Sequence, residues 1–210
     1  MKKFIIAMLA ICLSFSAVNA ELSKKQQKQI NKEVKAKMKE YNKEGWKLFG
    51  TSRTMESALT KHIEKLETLG DDAFEQPGIA VNFKSKSVGH QQAVNNACLE
   101  YAGKAGSSVR GNITADLKAN GVDVDDEFEH FYAAYQRLVE REIQNEMEES
   151  YSVIKDLGNG TYEMQVFFIV NESGAAKARE RAAKAAMKDS EIAQKHASTI
   201  SDYVRKAFER

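Results

Sequence analysis

The sequence predicts an α+β fold, in which a small antiparallel or mixed sheet is packed by helices, with long N- and C-terminal helices. Three observations support this prediction. A strand–turn–strand pattern with Gly158-Asn159-Gly160 at its turn occupies residues 147–170. Apolar residues recur every three or four positions over several stretches, as on one face of a helix. Pro77 is the single proline in 210 residues, which suits long uninterrupted helices.

The N-terminus has the three-part pattern of a secretory signal peptide. Two lysines give a positive start, residues 4–15 are almost wholly apolar, and residues 16–20 are small and polar. We predict a signal peptide over residues 1–20, with cleavage between Ala20 and Glu21. The alternative, a retained membrane anchor or buried helix, is disfavoured because the apolar run is too short for a hydrocarbon core about 30 Å thick.

Cys12 lies inside the apolar run, whereas a lipoprotein signal would place a cysteine directly after small residues at the cleavage point. Ile11, which is bulky and β-branched, precedes it, and no polar segment follows it. We therefore favour removal of Cys12 with the signal peptide. The intact mass of the exported protein shows whether a lipid is attached.

The composition of the predicted mature part excludes several classes of protein. It has 29 basic residues (31 − 2) against 30 acidic ones, a net charge of −1. This balance argues against general nucleic-acid binding, which requires a strong positive field. No second long apolar segment exists, so no transmembrane span is predicted in the mature protein. Cys98 is its one cysteine, which excludes an internal disulfide and favours a buried, inert thiol over a reactive one.

Residues 21–45 are predicted to form a basic amphipathic helical arm. Its apolar stripe is Ile30, Val34, Met38 and Tyr41. Nine lysines and three glutamates lie between Lys24 and Lys47. Two interpretations are open: the arm lies on an anionic surface such as lipid head groups or cell-wall polymer, or it is a solvated helix packed on the domain by its stripe. The candidate surface-binding residues are Lys24, Lys25, Lys28, Lys32, Lys35, Lys37 and Lys39.

Residues 46–172 are predicted to form an α+β domain. It begins with a short strand over residues 46–51 that ends in a glycine turn. A helix follows over residues 54–69, because apolar residues recur on one face and a glycine then stops the pattern. We interpret residues 71–77 as an acidic loop and the β-forming residues from Gly78 as a second strand.

The next part of this domain has a helical pattern. From His90, alanine and glycine recur at spacings that let a helix lie close against a sheet or another helix. Residues 112–118 are interpreted as a short strand and Asn120-Gly121 as a turn. A further helix is predicted from Asp125 to Ile143, because carboxylates favour the positive end of a helix and a broad aromatic face follows.

Residues 147–170 predict a β-hairpin. In its return strand five side chains share one face by the two-residue period: Tyr162, Met164, Val166, Phe168 and Val170. Phe167 and Ile169 make the opposite face apolar as well, so we predict a central strand covered on both faces. Residues 173–210 predict a long C-terminal helix with a break near residues 188–190.

Some of these features occur in an order that is familiar from one family. They are Trp46 with Gly50, the spacing Ala93, Ala97, Ala102 and Ala105, and Gly160-Thr161-Tyr162 leading into Val166. The order resembles the Lpp-twenty lipoprotein family and the N-terminal domain of the flagellar protein FlgT, over residues 46–170. The resemblance implies a compact α+β domain of the bacterial envelope with a structural or assembly role, and it transfers no catalytic residue. The family's lipidated cysteine has no counterpart, and the helix at residues 54–69 is an insertion.

No catalytic or metal-binding motif is apparent, so we predict no catalytic residue, no metal site and no cofactor. Four histidines occur singly: His62, His90, His130 and His196. None lies in H-E-x-x-H, and neither G-x-S-x-G nor a glycine-rich phosphate loop occurs. The acidic stretch over residues 123–130 alternates as a calcium loop would, but it has Phe128 where such a loop needs glycine. An acid-rich helix start explains it more simply.

We therefore expect an exported bacterial envelope protein, periplasmic or at the outer-membrane periphery, with a non-enzymatic binding, scaffolding or assembly role. Its partner would be an envelope protein or an anionic surface. Two alternatives are open. One is a periplasmic holdase-like chaperone that uses the lysine-rich arm and the C-terminal helix as a clamp. The other is an uncatalogued cell-wall hydrolase, for which the sequence does not select an acid–base pair. The oligomeric state is not predicted.

Expression of the full chain in a bacterial host should release a protein that begins at Glu21 and carries no added mass, because signal peptidase cleaves after small residues. Intact-mass spectrometry of the exported fraction checks this. A protein that begins at Cys12, that carries a diacylglyceryl increment, or that keeps residues 1–20 would contradict the prediction.

Overall fold

The structure is a computed structural model that describes residues 22–121 and 126–206. The predicted signal peptide and its cleavage site lie outside these residues. The fold is α+β, as predicted, with helices packed on a four-stranded antiparallel sheet. The described helices and strands are α1 (Lys24–Glu44), β1 (Lys47–Phe49), α2 (Met55–Leu69), β2 (Ala73–Phe83), α3 (Lys86–Ala119), α4 (Asp126–Ile143), β3 (Met147–Asp156), β4 (Tyr162–Asn171), α5 (Glu172–Ala186), α6 (Glu191–Lys195) and α7 (Ala197–Arg205).

The sheet has the strand order β1-β3-β4-β2. β3 and β4 form the predicted hairpin, in which Tyr151 lies opposite Phe167. Its turn contains Gly158 and Gly160 at φ angles of 77° and 79°, a conformation that glycine adopts without steric cost. β4 pairs with β3 on one side and with β2 on the other, which confirms the predicted central strand.

Helices from α3 onwards cover one face of the sheet. The closest approach is between α3 and β2, where a Cβ placed on Gly78 would lie 2.0 Å from the carbonyl oxygen of Ala93 and 2.8 Å from Cβ of Ala97. Glycine is therefore required at this crossing, because any side chain would push the helix off the sheet. The β4 residues on this face are buried in the main core: Met164, Val166, Phe168 and Val170.

Helices α1 and α2 cover the opposite face of the sheet and enclose a second core. This core contains buried side chains from both helices, from the sheet and from the segment between α1 and β1: Ile30, Val34, Tyr41, Trp46, Ala58, Leu59, Tyr151, Val153 and Phe167. β4 is thus buried on both faces, as its continuous apolar sequence predicts.

The predicted strand at residues 112–118 is wrong, because α3 runs for 34 residues through this segment. Val109, Ile113 and Leu117 recur every four residues, and all three are at most 2% exposed in the main core. Packing of this stripe outweighs the weak preference of β-branched residues for strands.

The predicted acidic loop at residues 71–77 is wrong in its second part, because β2 begins at Ala73. Pro77 lies opposite Phe167 in the sheet. A proline has no backbone N–H to donate to a neighbouring strand. It is tolerated in β2 because β2 is an edge strand, which pairs with a neighbour on one side only. The helix predicted at residues 54–69 is confirmed, and Thr54 caps it by accepting a hydrogen bond from the Ser57 backbone N–H at 3.2 Å.

The C-terminal segment, predicted as a long helix over residues 173–210 with a break, forms three helices within the described residues. α5 ends at Ala186, a short turn follows, and the chain continues as α6 and α7. The predicted break near residues 188–190 is confirmed: the Ser190 hydroxyl accepts a hydrogen bond from the Ala193 backbone N–H at 3.1 Å and caps α6. α7 then packs on α3 and α5.

A fully buried arginine fixes α7 in this position. The Arg179 guanidinium on α5 donates to the hydroxyl of Tyr101 at 2.7 Å, to Glu172 Oε1 at 2.6 Å and to the backbone carbonyl of Val204 at 3.1 Å. It therefore joins α3, α5 and α7. Removal of a partner from such a buried network leaves an uncompensated charge, which costs about 3–5 kcal/mol.

Substitution Gly78→Ala should lower the free energy of unfolding by about 1–3 kcal/mol, because the new methyl group overlaps the Ala93 carbonyl. The matched control is Gly111→Ala on the exposed side of α3, where nothing lies within 4 Å of the new Cβ. It should raise the free energy of unfolding by about 0.5–1 kcal/mol, since alanine favours a helix over glycine. Urea denaturation measures both, and equal effects of the two substitutions would refute the close approach.

Candidate functional site

The first helix begins and ends at residues suited to those positions. The Ser23 hydroxyl accepts from the Gln26 backbone N–H at 3.3 Å, and the Gln26 side chain accepts from the Ser23 backbone N–H at 3.0 Å, which forms a capping box. Gly45 ends the helix at a φ of 83°, the left-handed conformation typical of a C-terminal cap. The helix therefore has defined limits on either side of its lysine-rich sequence.

The apolar stripe of α1 is used inside the protein. Ile30, Val34 and Tyr41 are each at most 2% exposed, and they pack in the second core with α2 and the sheet. Burial of side chains of this size stabilises the folded state by about 1.5–3 kcal/mol each. This is the packing expected if the arm is a helix held on the domain by its apolar stripe. The other interpretation, binding to an anionic surface, then concerns only the outer surface of the helix.

The outer surface of α1 carries a row of exposed lysines, which we call the lysine ridge: Lys24, Lys25, Lys28, Lys32, Lys35, Lys39 and Lys43. With 3.6 residues per turn, all seven lie within an arc of about 100° around the helix axis. The ridge runs for about 30 Å at a rise of 1.5 Å per residue. In the described part of the chain, no carboxylate forms an ion pair with any of the seven.

The lysine ridge differs from the seven predicted surface-binding lysines by one residue lost and one residue gained. Lys37 projects to the other side of α1, where its Nζ lies 3.6 Å from Glu40 Oε2 and 5.2 Å from the centre of the Tyr41 ring. The other six predicted lysines all belong to the ridge. Lys43 belongs to it as well, and its position four residues after Lys39 is the signal that identifies it.

A cleft of about 500 Å³ lies beneath Lys37, between α1, α2 and the start of β2. Its most buried polar side chain is His62 on α2, which is 3% exposed. His62 Nε2 lies 2.6 Å from Oε2 of Glu75 on β2. Nδ1 of the same ring is buried and has no hydrogen-bond partner among the described residues. An unpaired buried polar atom of this kind costs about 1–3 kcal/mol.

Two buried tyrosines lie next to His62. The Tyr41 and Tyr151 hydroxyl groups are 3.2 Å apart, and the His62 ring meets the Tyr151 ring edge-on with centroids 5.1 Å apart. Burial raises the pKa of Tyr41 to about 12, and it raises the pKa of Tyr151 as well, with the neighbouring Tyr41 acting in the same direction. Both hydroxyls therefore stay protonated at neutral pH.

The remaining histidines are separate from this cleft. His90 Nε2 lies 3.0 Å from Glu149 Oε2, and the His196 ring lies 5.9 Å from that of Phe128. His130 is exposed on α4. Within residues 22–121 and 126–206, no three histidine, cysteine or acidic side chains are grouped so that they could hold a metal ion.

Two other predicted features have mixed outcomes. Cys98 is buried as predicted, with its Sγ 3.8 Å from Met147 Sδ, and burial raises the pKa of its thiol. The acidic stretch lies partly outside the described residues, so the helix start at Asp125 stays a prediction. Within that stretch Glu129 pairs with Arg110 at 2.7 Å.

Comparison of the chain with family models, with curated proteins and with solved structures found no significant match. The resemblance to the Lpp-twenty family therefore stays a prediction. None of the described helices combines the length and the apolar character needed to cross a membrane.

The free energy of unfolding should fall as the pH rises from 10 to about 12. The folded-state pKa of Tyr41 lies above its usual value of 10, so the unfolded chain releases this proton first. The stabilisation is complete below pH 10 and is lost as the pH approaches the folded-state value. One such group contributes a slope of at most about 1.4 kcal/mol per pH unit.

Substitution Tyr41→Phe should make this slope shallower, and it should cost about 1 kcal/mol at neutral pH through loss of the hydrogen bond to Tyr151. Urea denaturation of both proteins at a series of pH values measures the slope. An unchanged slope in Tyr41→Phe would contradict the assignment.

Proposed function

We propose that this is an exported bacterial envelope protein with a non-enzymatic binding role, which docks on an anionic lipid surface through the lysine ridge. The observation that supports the proposal is the row of seven exposed lysines on one side of α1. The export step rests on the predicted signal peptide.

The arrangement of charges favours a flat anionic partner. The chain as a whole is close to neutral, so attraction to such a surface depends on where its charges lie. On α1 the three glutamates, Glu33, Glu40 and Glu44, follow one flank of the helix and leave the ridge purely basic. Each lysine near an anionic membrane contributes about 1 kcal/mol at physiological ionic strength, so seven in one row are sufficient for peripheral binding.

The packing of α1 favours electrostatic docking over insertion. A helix that inserts into a membrane uses its apolar face, but Ile30, Val34 and Tyr41 are already buried against α2 and the sheet. Binding through lysines alone is reversed by salt, because exposed charges are screened within about 8 Å at physiological ionic strength. The proposal therefore describes a peripheral protein that salt releases.

The two alternative functions stay predictions. The clamp of the chaperone alternative would use the N-terminal and C-terminal helices together, yet α1 and α7 pack on opposite faces of the sheet. The hydrolase alternative would need a cleft with facing acids. Among the described residues, the cleft at His62 is where such a pair of acids would be sought.

Cosedimentation with vesicles tests the proposal. The protein should sediment with vesicles of phosphatidylglycerol and phosphatidylcholine, not with phosphatidylcholine alone, and salt near 0.5 M should release it because the Debye length falls to about 4 Å. A variant with four ridge lysines replaced by glutamine should lose most of its binding: Lys28→Gln, Lys32→Gln, Lys35→Gln and Lys39→Gln.

The control variant has the same change in net charge at four exposed lysines outside α1: Lys118→Gln, Lys184→Gln, Lys188→Gln and Lys195→Gln. It should bind as the unmodified protein does. Equal losses in the two variants would show that net charge alone matters, and unchanged binding of the ridge variant would refute the proposed surface. A parallel experiment with isolated peptidoglycan identifies a cell-wall polymer as the partner if only that material retains the protein.

A further inference from the structure

The cleft at His62 lies on the opposite side of α1 from the lysine ridge, and the proposed docking does not use it. We infer that this cleft binds a small organic cation: a protonated amine attached to an apolar or aromatic body. The inference does not rest on the proposed function, because the two surfaces have different residues and opposite charge.

The size and walls of the cleft suit a small molecule. Its volume of about 500 Å³ lies within the range of ligand sites in proteins, roughly 300–1,000 Å³. Apolar side chains from α2 and the ring of Tyr151 on β3 line the walls: Leu59, Ile63, Leu66 and Tyr151. Such walls favour a ligand with an apolar body and few polar groups.

The charges at the cleft select a cation. Glu33 on α1, Glu67 on α2 and Glu75 on β2 approach it from three different elements. No basic side chain forms an ion pair with Glu33 or Glu67 within the described residues, and Glu75 meets only His62. Lys37 also lines the cleft, but its ammonium group is already engaged by Glu40 and the Tyr41 ring. An anion would be repelled here.

His62 supplies the second observation, which is independent of the acids. Because an ionised carboxylate only accepts hydrogen bonds, Nε2 of His62 is the donor to Glu75, and in the tautomer whose proton is on Nε2 the other nitrogen, Nδ1, is an acceptor. That acceptor is buried and unpaired among the described residues. The histidine thus orients the Glu75 carboxylate at the cleft. Its Nδ1 is left as a hydrogen-bond acceptor for a ligand, since packing alone does not require an unpaired acceptor there.

An amine is favoured over a metal ion as the cation. A divalent ion needs several oxygen or nitrogen ligands around one point. In the part of the chain that the structure describes, no three histidine, cysteine or acidic side chains are grouped in that way. Acids spread around an apolar cleft instead suit an ammonium group, whose three N–H donors point in different directions.

Titration with three matched probes tests the inference: 2-phenylethylammonium, the neutral 2-phenylethanol and the anionic 3-phenylpropionate. Two-dimensional NMR of the whole protein follows the backbone amides, and those of Gly70 and Ala73, which line the cleft, should shift with the first probe. The ammonium should bind at least about tenfold more tightly than either analogue, a difference that corresponds to one charge-assisted hydrogen bond.

Substitutions Glu75→Gln and Glu33→Gln keep the side-chain shape and should each weaken binding of the ammonium by about tenfold. The control is Glu100→Gln on the other side of the sheet, where the carboxylate pairs with Lys104, and it should bind as the unmodified protein does. Circular dichroism establishes that all three variants fold.

Three outcomes would overturn the inference. The first is no saturable shift of the cleft amides up to about 10 mM ammonium, which is weaker than a millimolar site. The second is equal binding of all three probes, since the acids would then have no role. The third is full binding by folded Glu75→Gln and Glu33→Gln proteins.

Discussion

Burial of β4 on both faces is the constraint on which the rest of the structure depends. Val166 on one face and Phe167 on the other are both buried, so each face of the sheet needs its own layer of helices. The helices from α3 onwards supply one layer. On the other face α1 and α2 form the cover together, with the apolar stripe of α1 buried in the second core. The direction of the lysine ridge is a consequence, because the side of α1 opposite a buried stripe faces solvent.

The two helical layers differ in how they approach the sheet. The layer that begins with α3 lies close, since Gly78 lets α3 contact β2, and Arg179 on α5 then holds α7 in place. The second layer leaves room at one edge, beside the start of β2. Polar side chains occupy that edge, and the contact between His62 and Glu75 joins α2 to β2 across the cleft. Tight packing on one face and an open edge on the other place the cleft in the second layer.

Patterns of neighbouring residues predicted much of this fold. The hairpin, the central strand and the helix at residues 54–69 follow from local periodicity and turn residues, and six of the seven predicted arm lysines belong to the ridge. Prediction failed where packing decides between local alternatives, as at residues 112–118. It also missed the pair formed by His62 and Glu75, which are 13 residues apart on different elements, because no local pattern records that they meet.

The central claim is that α1 is an integral layer of the fold and holds the lysine ridge rigid. Amide hydrogen exchange of the full protein tests it most directly, by comparing the backbone amides from Ile30 to Tyr41 with those of β4. We expect α1 to exchange as slowly as β4, because exposure of either requires loss of the second core. Exchange of α1 at the rate of an unfolded chain, while β4 stays protected, would show a detached arm and contradict this account.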